Sequence, residues 1–548
     1  MVRRTADLTG GFDLAVVGAG ALGCALAWEA ATRGVRVVLL EQDDFGSGAS
    51  ANSLKIVHGG LRYLQKLDLK RARASAAERS VFLRIAPHLV QPLPCILPTR
   101  STLLRGRLAM AGGIAVNALV TADRNRGLRP DRRLPAGGLM SLTSLADAAP
   151  GLNLEGATAG ARWFDAQMLD SERLPLAFAL GAEAHGAVLL NHHRVTAFSA
   201  DKGRIAGIVA ENLLDGGSLE IPASAVADCR CAWAGADAVP PGSPAAPPFI
   251  KAVNVILPET GLQCALGFPM RDAQGRILPG RMLFATPWNG ATIVGTWYSR
   301  DPRGPGAGVA VPELESILRS VNDSYGAWRF RAEDVRALHV GFLPALAASV
   351  TGDAEPVPMD KPLCEPARAF GGPAGLWHLQ TEKWTTVRRL AEGFVDRLSA
   401  EGAVRAGPSR TTRLPLPGGA PAGLSAARAA LRQAGLAPGA ARRMEAAYGG
   451  GAADVLELAR SLPGGTETVP GSGGVWAAEL VHAVQTEHAR TLGDVLRRTG
   501  IGSAGRPSRE TLECAARSVA GLMGWGEEMQ RRQVAEVLQW PQYRVDSE

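Results

Sequence analysis

Aromatic residues are scarce in this chain of 548 residues: Phe, Trp and Tyr together make up 5%. No nucleic-acid recognition motif accompanies that scarcity, which argues against a nucleic-acid binder even though the formal net charge is +7. Cysteine is also sparse. The seven residues, Cys24, Cys95, Cys229, Cys231, Cys264, Cys364 and Cys514, form an odd, scattered set. Such a set excludes a disulfide framework and points to a reducing compartment. Only Cys229 and Cys231 lie close together, and a lone Cys-x-Cys with no second pair reads as buried thiols rather than a metal site. Long apolar runs are missing too. The longest, Leu108 to Ala122, contains Asn117 and falls short of the ~20 residues a spanning helix needs. It reads either as a buried helix or as a segment lying on a membrane surface. Arg3 and Arg4 are followed by Asp7 and Asp13, unlike a secretory leader. The expected location is cytoplasmic, with a peripheral contact on the inner face of the membrane as the alternative.

What remains is the composition of a globular protein of two or three units, 46% hydrophobic and 20% charged. Its densest basic stretch is Arg124, Arg126, Arg129, Arg132 and Arg133. That stretch reads as a solvated loop, or as a contact for anionic lipid or substrate.

The N-terminus carries the strongest pattern. Phe12 to Val17 reads as a buried strand, Ala21 to Arg33 as a helix opening on small residues, and Val35 to Leu40 as a second strand. Between the first strand and the helix stands Gly18-Ala19-Gly20-Ala21-Leu22-Gly23. The first glycine permits a tight turn, the second lets a pyrophosphate approach the backbone, and the third lets helix and strand pack closely. The helix start then offers N–H groups and a positive dipole end to the phosphates. Glu41, at the end of the second strand, can accept hydrogen bonds from both ribose hydroxyls and would repel a 2′-phosphate. The unit therefore binds a dinucleotide. The small polar loop Gly46-Ser47-Gly48-Ala49-Ser50-Ala51-Asn52-Ser53 beyond it can lie along a long cofactor.

The next stretch, Ser50 to Leu64 with its core His58-Gly59-Gly60-Leu61-Arg62-Tyr63-Leu64, resembles the FAD-dependent glycerol-3-phosphate dehydrogenases. Ala86-Pro87-His88, Phe284-Ala285-Thr286-Pro287-Trp288, Ile293-Val294-Gly295-Thr296 and Lys383 to Glu392 carry the same resemblance, as does Glu487 to Thr499. It implies an α/β fold: an FAD-binding Rossmann-like domain, an interleaved α+β substrate domain and a C-terminal α-helical domain. The expected boundaries are 10–400 for the oxidoreductase unit, with FAD-binding segments at about 10–100, 155–240 and 345–400. A linker at 401–423, rich in Pro and Gly from Gly407, and a helical domain at 424–548 complete the chain. The cofactor-binding residues expected are Gly18, Gly20, Gly23, Glu41, Ser50, Ser53, Lys55, Gly59, Val195 and Thr385.

The resemblance further implies oxidation of a secondary alcohol by hydride transfer to flavin, with electrons passed to a quinone-type acceptor at a membrane surface. The candidate substrate is a small-molecule alcohol, a phosphate ester among them, and the candidate assembly is a homodimer. Arg62 and Lys383 stand where the family has cations near flavin and substrate. The pocket otherwise departs from the pattern. Asn254 falls where a histidine is usual, Leu343 where an arginine is usual, and Asp228-Cys229-Arg230-Cys231-Ala232-Trp233 replaces the flavin-side turn. An Asn cannot take a proton, so His58, His339 and Lys383 are the candidates for a base. Three readings follow: a glycerol-3-phosphate-type dehydrogenase, a flavoenzyme acting on another alcohol or an amine in a specialised pathway, and an FAD-binding protein without turnover.

Overall fold

The computed structural model describes residue 8 and residues 10–546, except 65–66, 101–105, 234–247, 272–273, 346–357 and 360. The Pro-, Gly- and Ala-rich stretch Val239–Pro248, whose composition predicts a crossover loop, falls almost wholly outside the described residues. The N-terminal run folds as β1 (Phe12–Val17), α1 (Ala21–Thr32) and β2 (Val37–Leu40). They belong to a sheet ordered Leu363–Pro366, Leu376–Gln380, Ser218–Asp228, β1, β2, Val188–Leu190. Its pairings are parallel except at the Leu363–Pro366 edge. A hairpin, His193–Asp201 with Arg204–Asn212, pairs with the first half of Ser218–Asp228. All of α1 is buried. Its alanines and Gly23 give it the narrow girth to lie between the sheet and the helices Arg173–Glu183 and Val387–Ala400.

A second, mostly antiparallel sheet runs Ala337–Pro344, Phe249–Pro258, Ala291–Ser299, Ile277–Trp288, Ala265–Arg271, Val90–Arg100, Ala157–Met168, Ile56–Val57. This corrects the expected segments at 10–100 and 155–240, because Val90–Arg100 and Ala157–Met168 belong to this sheet and not to the nucleotide layer. The prolines were the misleading signal. Pro92, Pro94 and Pro98 read as breakers, yet they share one parity. Their missing N–H groups therefore all face the same side of the strand. The strand pairs with Ala157–Met168 along its whole length. On its other side only Cys95 and Ile96 register with Ala265 and Leu266.

The C-terminal domain is helical, as expected, with finer segmentation. The sequence pattern predicts one helix over Arg509–Arg531, but the chain forms two, Arg509–Met523 and Glu527–Leu538, because Gly524 turns left-handed (φ 69°) and ends the first. The pattern likewise predicts a helix over Trp476–Thr491, where the chain forms a shorter one, Ala477–Thr486, before Leu492–Thr499. The 401–423 stretch is packed rather than loose: Val404 and Leu416 enter the main core, and Thr411 is fully buried.

Thr411 takes part in a buried junction. Arg388 donates to both Glu78 oxygens, at 2.7 and 2.6 Å, and to Thr411 Oγ1 at 2.9 Å. This joins the Lys383–Glu392 motif to the helix Leu69–Ile85. Glu78→Ala would leave the buried guanidinium only the partly exposed Glu392 carboxylate at 2.9 Å, costing up to about 3–5 kcal/mol. A marked drop in the thermal midpoint is expected, and Glu78→Gln should recover part of it.

Candidate active site

The turn after β1 shows why three glycines are needed. A side chain at Gly23 would put its Cβ 1.9 Å from the Gly18 carbonyl oxygen. Gly18 has φ 97°, and a Cβ there would press on the backbone of Cys229 and Arg230 at 3.1 Å. At Gly20 a Cβ would meet Ser50 Oγ at 3.1 Å. Ser50 Oγ accepts from the Ala21 N–H at 2.9 Å, placing a hydroxyl at the start of α1. Glu41 closes the turn from β2: its carboxylate accepts from the N–H groups of Ala19 (2.7 Å) and Asp43 (3.0 Å). Burial pushes this carboxyl up to about 7, against the two N–H donors that favour its charge.

A cleft of about 1170 Å³ of atom-free space, its open mouth included, extends from this turn. Gly18, Gly20, Glu41, Ser50 and Val195 line it, as do Lys383, Trp384 and Leu343. A glycine cradle that any Cβ would fill, a helix N-terminus and a carboxylate at the second strand end together fit the ADP half of a dinucleotide. Trp384 Nε1 donates to the Ser50 carbonyl at 3.2 Å, which brings the Lys383–Trp384 segment to the same cleft.

The expected chemical residues separate into three groups. Lys383 lines the cleft; its ammonium donates to Tyr63 Oη (3.2 Å) and Ser75 Oγ (2.5 Å), which are buried beside the cleft and do not line it, and sits over the Tyr63 ring. His58 is half exposed and does not line the cleft; its Nδ1 faces Asp165 Oδ2 at 3.4 Å. Asp165 also accepts from the Gly59 N–H, Arg79 and Trp163. Against the cost of burial, His58 and Arg79 hold this carboxyl well below the usual range. Gly59 is needed because a Cβ there would strike Arg79. The Arg62 side chain lies outside the described residues.

The third group is committed elsewhere. Asn254 is buried, donates to the Asn52 carbonyl at 2.9 Å and accepts from Thr296 Oγ1 at 2.9 Å. It ties the cofactor loop to the second sheet. His339, its cross-strand neighbour, faces the Ser503 carbonyl at 3.3 Å in the C-terminal domain. Burial, with Lys55 nearby, pushes its imidazole well below the usual value. Lys55 points away from the cleft to Ala51 O and Ser171 Oγ and lies against Trp288. Ser53 Oγ accepts from the Lys55 N–H at 3.3 Å, and Thr385 is buried in the turn Trp384–Thr386; neither lines the cleft.

The segment expected at the flavin-side turn supplies two walls of the cleft, Arg230 and Trp233, and Arg194 and Phe342 add two that carried no expectation. A Cβ at Gly48 would come within 3.0 Å of Trp233 Nε1, and Trp233 meets Phe342 edge-on at 6.4 Å. Arg230 pairs with Asp228 at 2.9 Å. Their position just beyond the carboxyl end of the parallel strand Ser218–Asp228 was the available signal, since ligands bind at such ends. The Cys229 and Cys231 thiols are pushed up by burial, Cys231 to about 12, so both are protonated.

Comparison with known proteins agrees with this geometry. Residues 13–380 match the model of FAD dependent oxidoreductases, and residues 409–530 match that of the C-terminal domain of alpha-glycerophosphate oxidase. Glycerol-3-phosphate dehydrogenase 1 of Mycobacterium tuberculosis (strain H37Rv) is 31% identical over 94% of this chain and 96% of its own length. Glycerol-3-phosphate dehydrogenase of Mycobacterium leprae is 29% identical over 96% of this chain and 87% of its own. The FAD-complexed glycerol-3-phosphate dehydrogenase of Bacillus halodurans shares the fold, with TM-score 0.74 and 24% identity over 98% of this chain and 97% of its own. By its matched domains, its relatives and its fold, the chain belongs to the FAD-dependent glycerol-3-phosphate dehydrogenase family.

Proposed function

We propose that the protein oxidises the secondary alcohol of a small substrate with an anionic end, glycerol 3-phosphate being the first candidate. The observation that carries this reading is the placement of Lys383 at the cleft beside Tyr63 and Ser75. FAD, when bound, supplies the acceptor for the hydride that leaves the carbinol carbon. Lys383 is suited to hold the anionic or alkoxide oxygen of the substrate as charge develops. His58 does not line the cleft, so it is a candidate for the hydroxyl proton only by way of solvent, which its half-exposed side chain meets while Asp165 holds its other edge. Asn254 and His339 fit positioning roles, since their contacts lie away from the cleft. Anaerobic addition of glycerol 3-phosphate should bleach the oxidised-flavin absorbance. Intact bound FAD that does not bleach would remove this substrate.

A second reading rests on Leu343. It lines the cleft where the family resemblance expects an arginine, and a Leu cannot hold a phosphate. That favours a less highly charged alcohol, or an amine, and bleaching by such compounds but not by glycerol 3-phosphate would select it. The cofactor grip has its own check. Glu41→Gln removes charge-assisted bonds to the ribose, worth about 1.5–3 kcal/mol. FAD affinity should therefore fall roughly 10- to 150-fold by flavin fluorescence titration.

For the electron acceptor we propose a quinone reached at a membrane face. The helix Arg107–Val120 supports this. It buries Met110 and Ile114 yet leaves Leu108 88% and Leu119 78% exposed, and Leu67 stands 84% exposed. Arg126 and Arg133 are exposed beyond its end. None of the described helices is long and apolar enough to cross a membrane, so the helix would lie flat on the surface. The protein should co-sediment with phosphatidylcholine–phosphatidylglycerol vesicles. Leu108→Glu with Leu119→Glu should abolish that while leaving FAD content unchanged.

A further inference from the structure

The Glu41 carboxylate sits on a turn, and that turn is held from the far end of the chain. Asp44, three residues after Glu41, is fully buried. Arg498, in the helix Leu492–Thr499, donates to both its oxygens at 2.5 and 2.7 Å. The Arg498 Nε donates to the Glu487 carbonyl at 2.9 Å, so its fork cannot swing. Asn191 Nδ2 reaches Asp44 at 3.2 Å, and Arg497 faces Asp43 at 3.5 Å. The backbone completes the frame. Glu41 N–H donates to Leu190 O, His193 N–H to Glu41 O and His192 N–H to Asp43 O. His192 is itself fixed by Asp494 at 2.8 Å, again from the helical domain. Within the turn, the Asp43 N–H holds the Glu41 carboxylate.

A buried ion pair is a poor source of net stability, since desolvation offsets most of its attraction. Its value lies in the geometry it imposes, and here that geometry belongs to the turn bearing Glu41. We propose that Arg498 is a positioning residue for FAD: through Asp44 it sets the Glu41 carboxylate, so the C-terminal helical domain completes the adenosine end of the cofactor site. Coupling is reciprocal, so bound FAD also strengthens the docking of the helical domain. The inference rests on the cofactor and is independent of the substrate proposed above.

The test uses the full-length apoprotein titrated with FAD, followed by flavin fluorescence, with fold checked by circular dichroism. Arg498→Met should weaken FAD by ~10-fold or more, the scale of a lost charge-assisted fork. Arg498→Lys, which keeps the charge but not the fork, should fall between. Glu183→Gln weakens another contact of the same interface, the 2.9 Å pair with His488, and should leave FAD affinity unchanged. At saturating FAD the kcat of Arg498→Met should approach the parent value, separating positioning from catalysis. A folded Arg498→Met with FAD affinity within about twofold of the parent, a small difference on this scale, would overturn the proposal. Equal weakening by Glu183→Gln would overturn it too. If Arg498→Met does not fold, Asp44→Asn is measured in the same way, and unchanged affinity in that variant likewise overturns the proposal.

Discussion

The contact that the rest of the molecule depends on is the one between Gly23 and the carbonyl of Gly18. There is no space for even a methyl group between them. That closeness lets β1 pass into α1 within a few residues and aims the helix start into the cleft. It also brings the Ala19 N–H within reach of Glu41, so the turn and the second strand end become one surface. The consequences spread outward. A helix this close to the sheet must be thin, so it is rich in alanine. A thin helix buried on all sides needs two further helices against it, and Arg173–Glu183 and Val387–Ala400 supply them.

Much of this was legible because glycine, carboxylate and strand positions are set by local rules. The turn, β2, the helical C-terminal region and the fold class all follow from patterns spanning a few dozen residues. What was not legible depended on long-range registration. The prolines of Val90–Arg100 have opposite meanings in a loop and in a strand that pairs fully on one side, and only the partner strand decides between them. The fates of Lys55, Asn254 and His339 were set in the same way. Each is a polar residue in a promising motif, and each is claimed by a partner distant in the chain: Ser171, Thr296 and the Ser503 carbonyl. Lys383 differs because it remains at the cleft with hydroxyl partners, Tyr63 and Ser75.

Buried charge recurs wherever two units of the chain meet. Arg388 with Glu78, Arg79 with Asp165, Arg173 with Glu487 and Arg498 with Asp44 are all nearly inaccessible to water. Apolar contacts tolerate small slides between elements, whereas a two-pronged guanidinium–carboxylate contact does not. Three of the four pairs are two-pronged, and Arg79 instead shares its Nη1 between Asp165 and the Phe164 carbonyl. These pairs therefore act as registration pins. They fix the helix Leu69–Ile85, the His58–Gly60 loop and the C-terminal domain around a cleft built from segments far apart in sequence. Arg173 shows the density of the arrangement, since it also donates to the Ala447 and Arg498 carbonyls.

The cleft draws its walls from different layers. The glycine turn and Glu41 belong to the first sheet, and Lys383 follows its strand Leu376–Gln380; Phe342 and Leu343 end a strand of the second. That division gives the molecule a form of modularity. An exchange at the end of Ala337–Pro344 can change what the site admits without disturbing the cradle that holds the cofactor. A lineage with this architecture can thus explore new substrates one strand end at a time while its redox machinery stays intact.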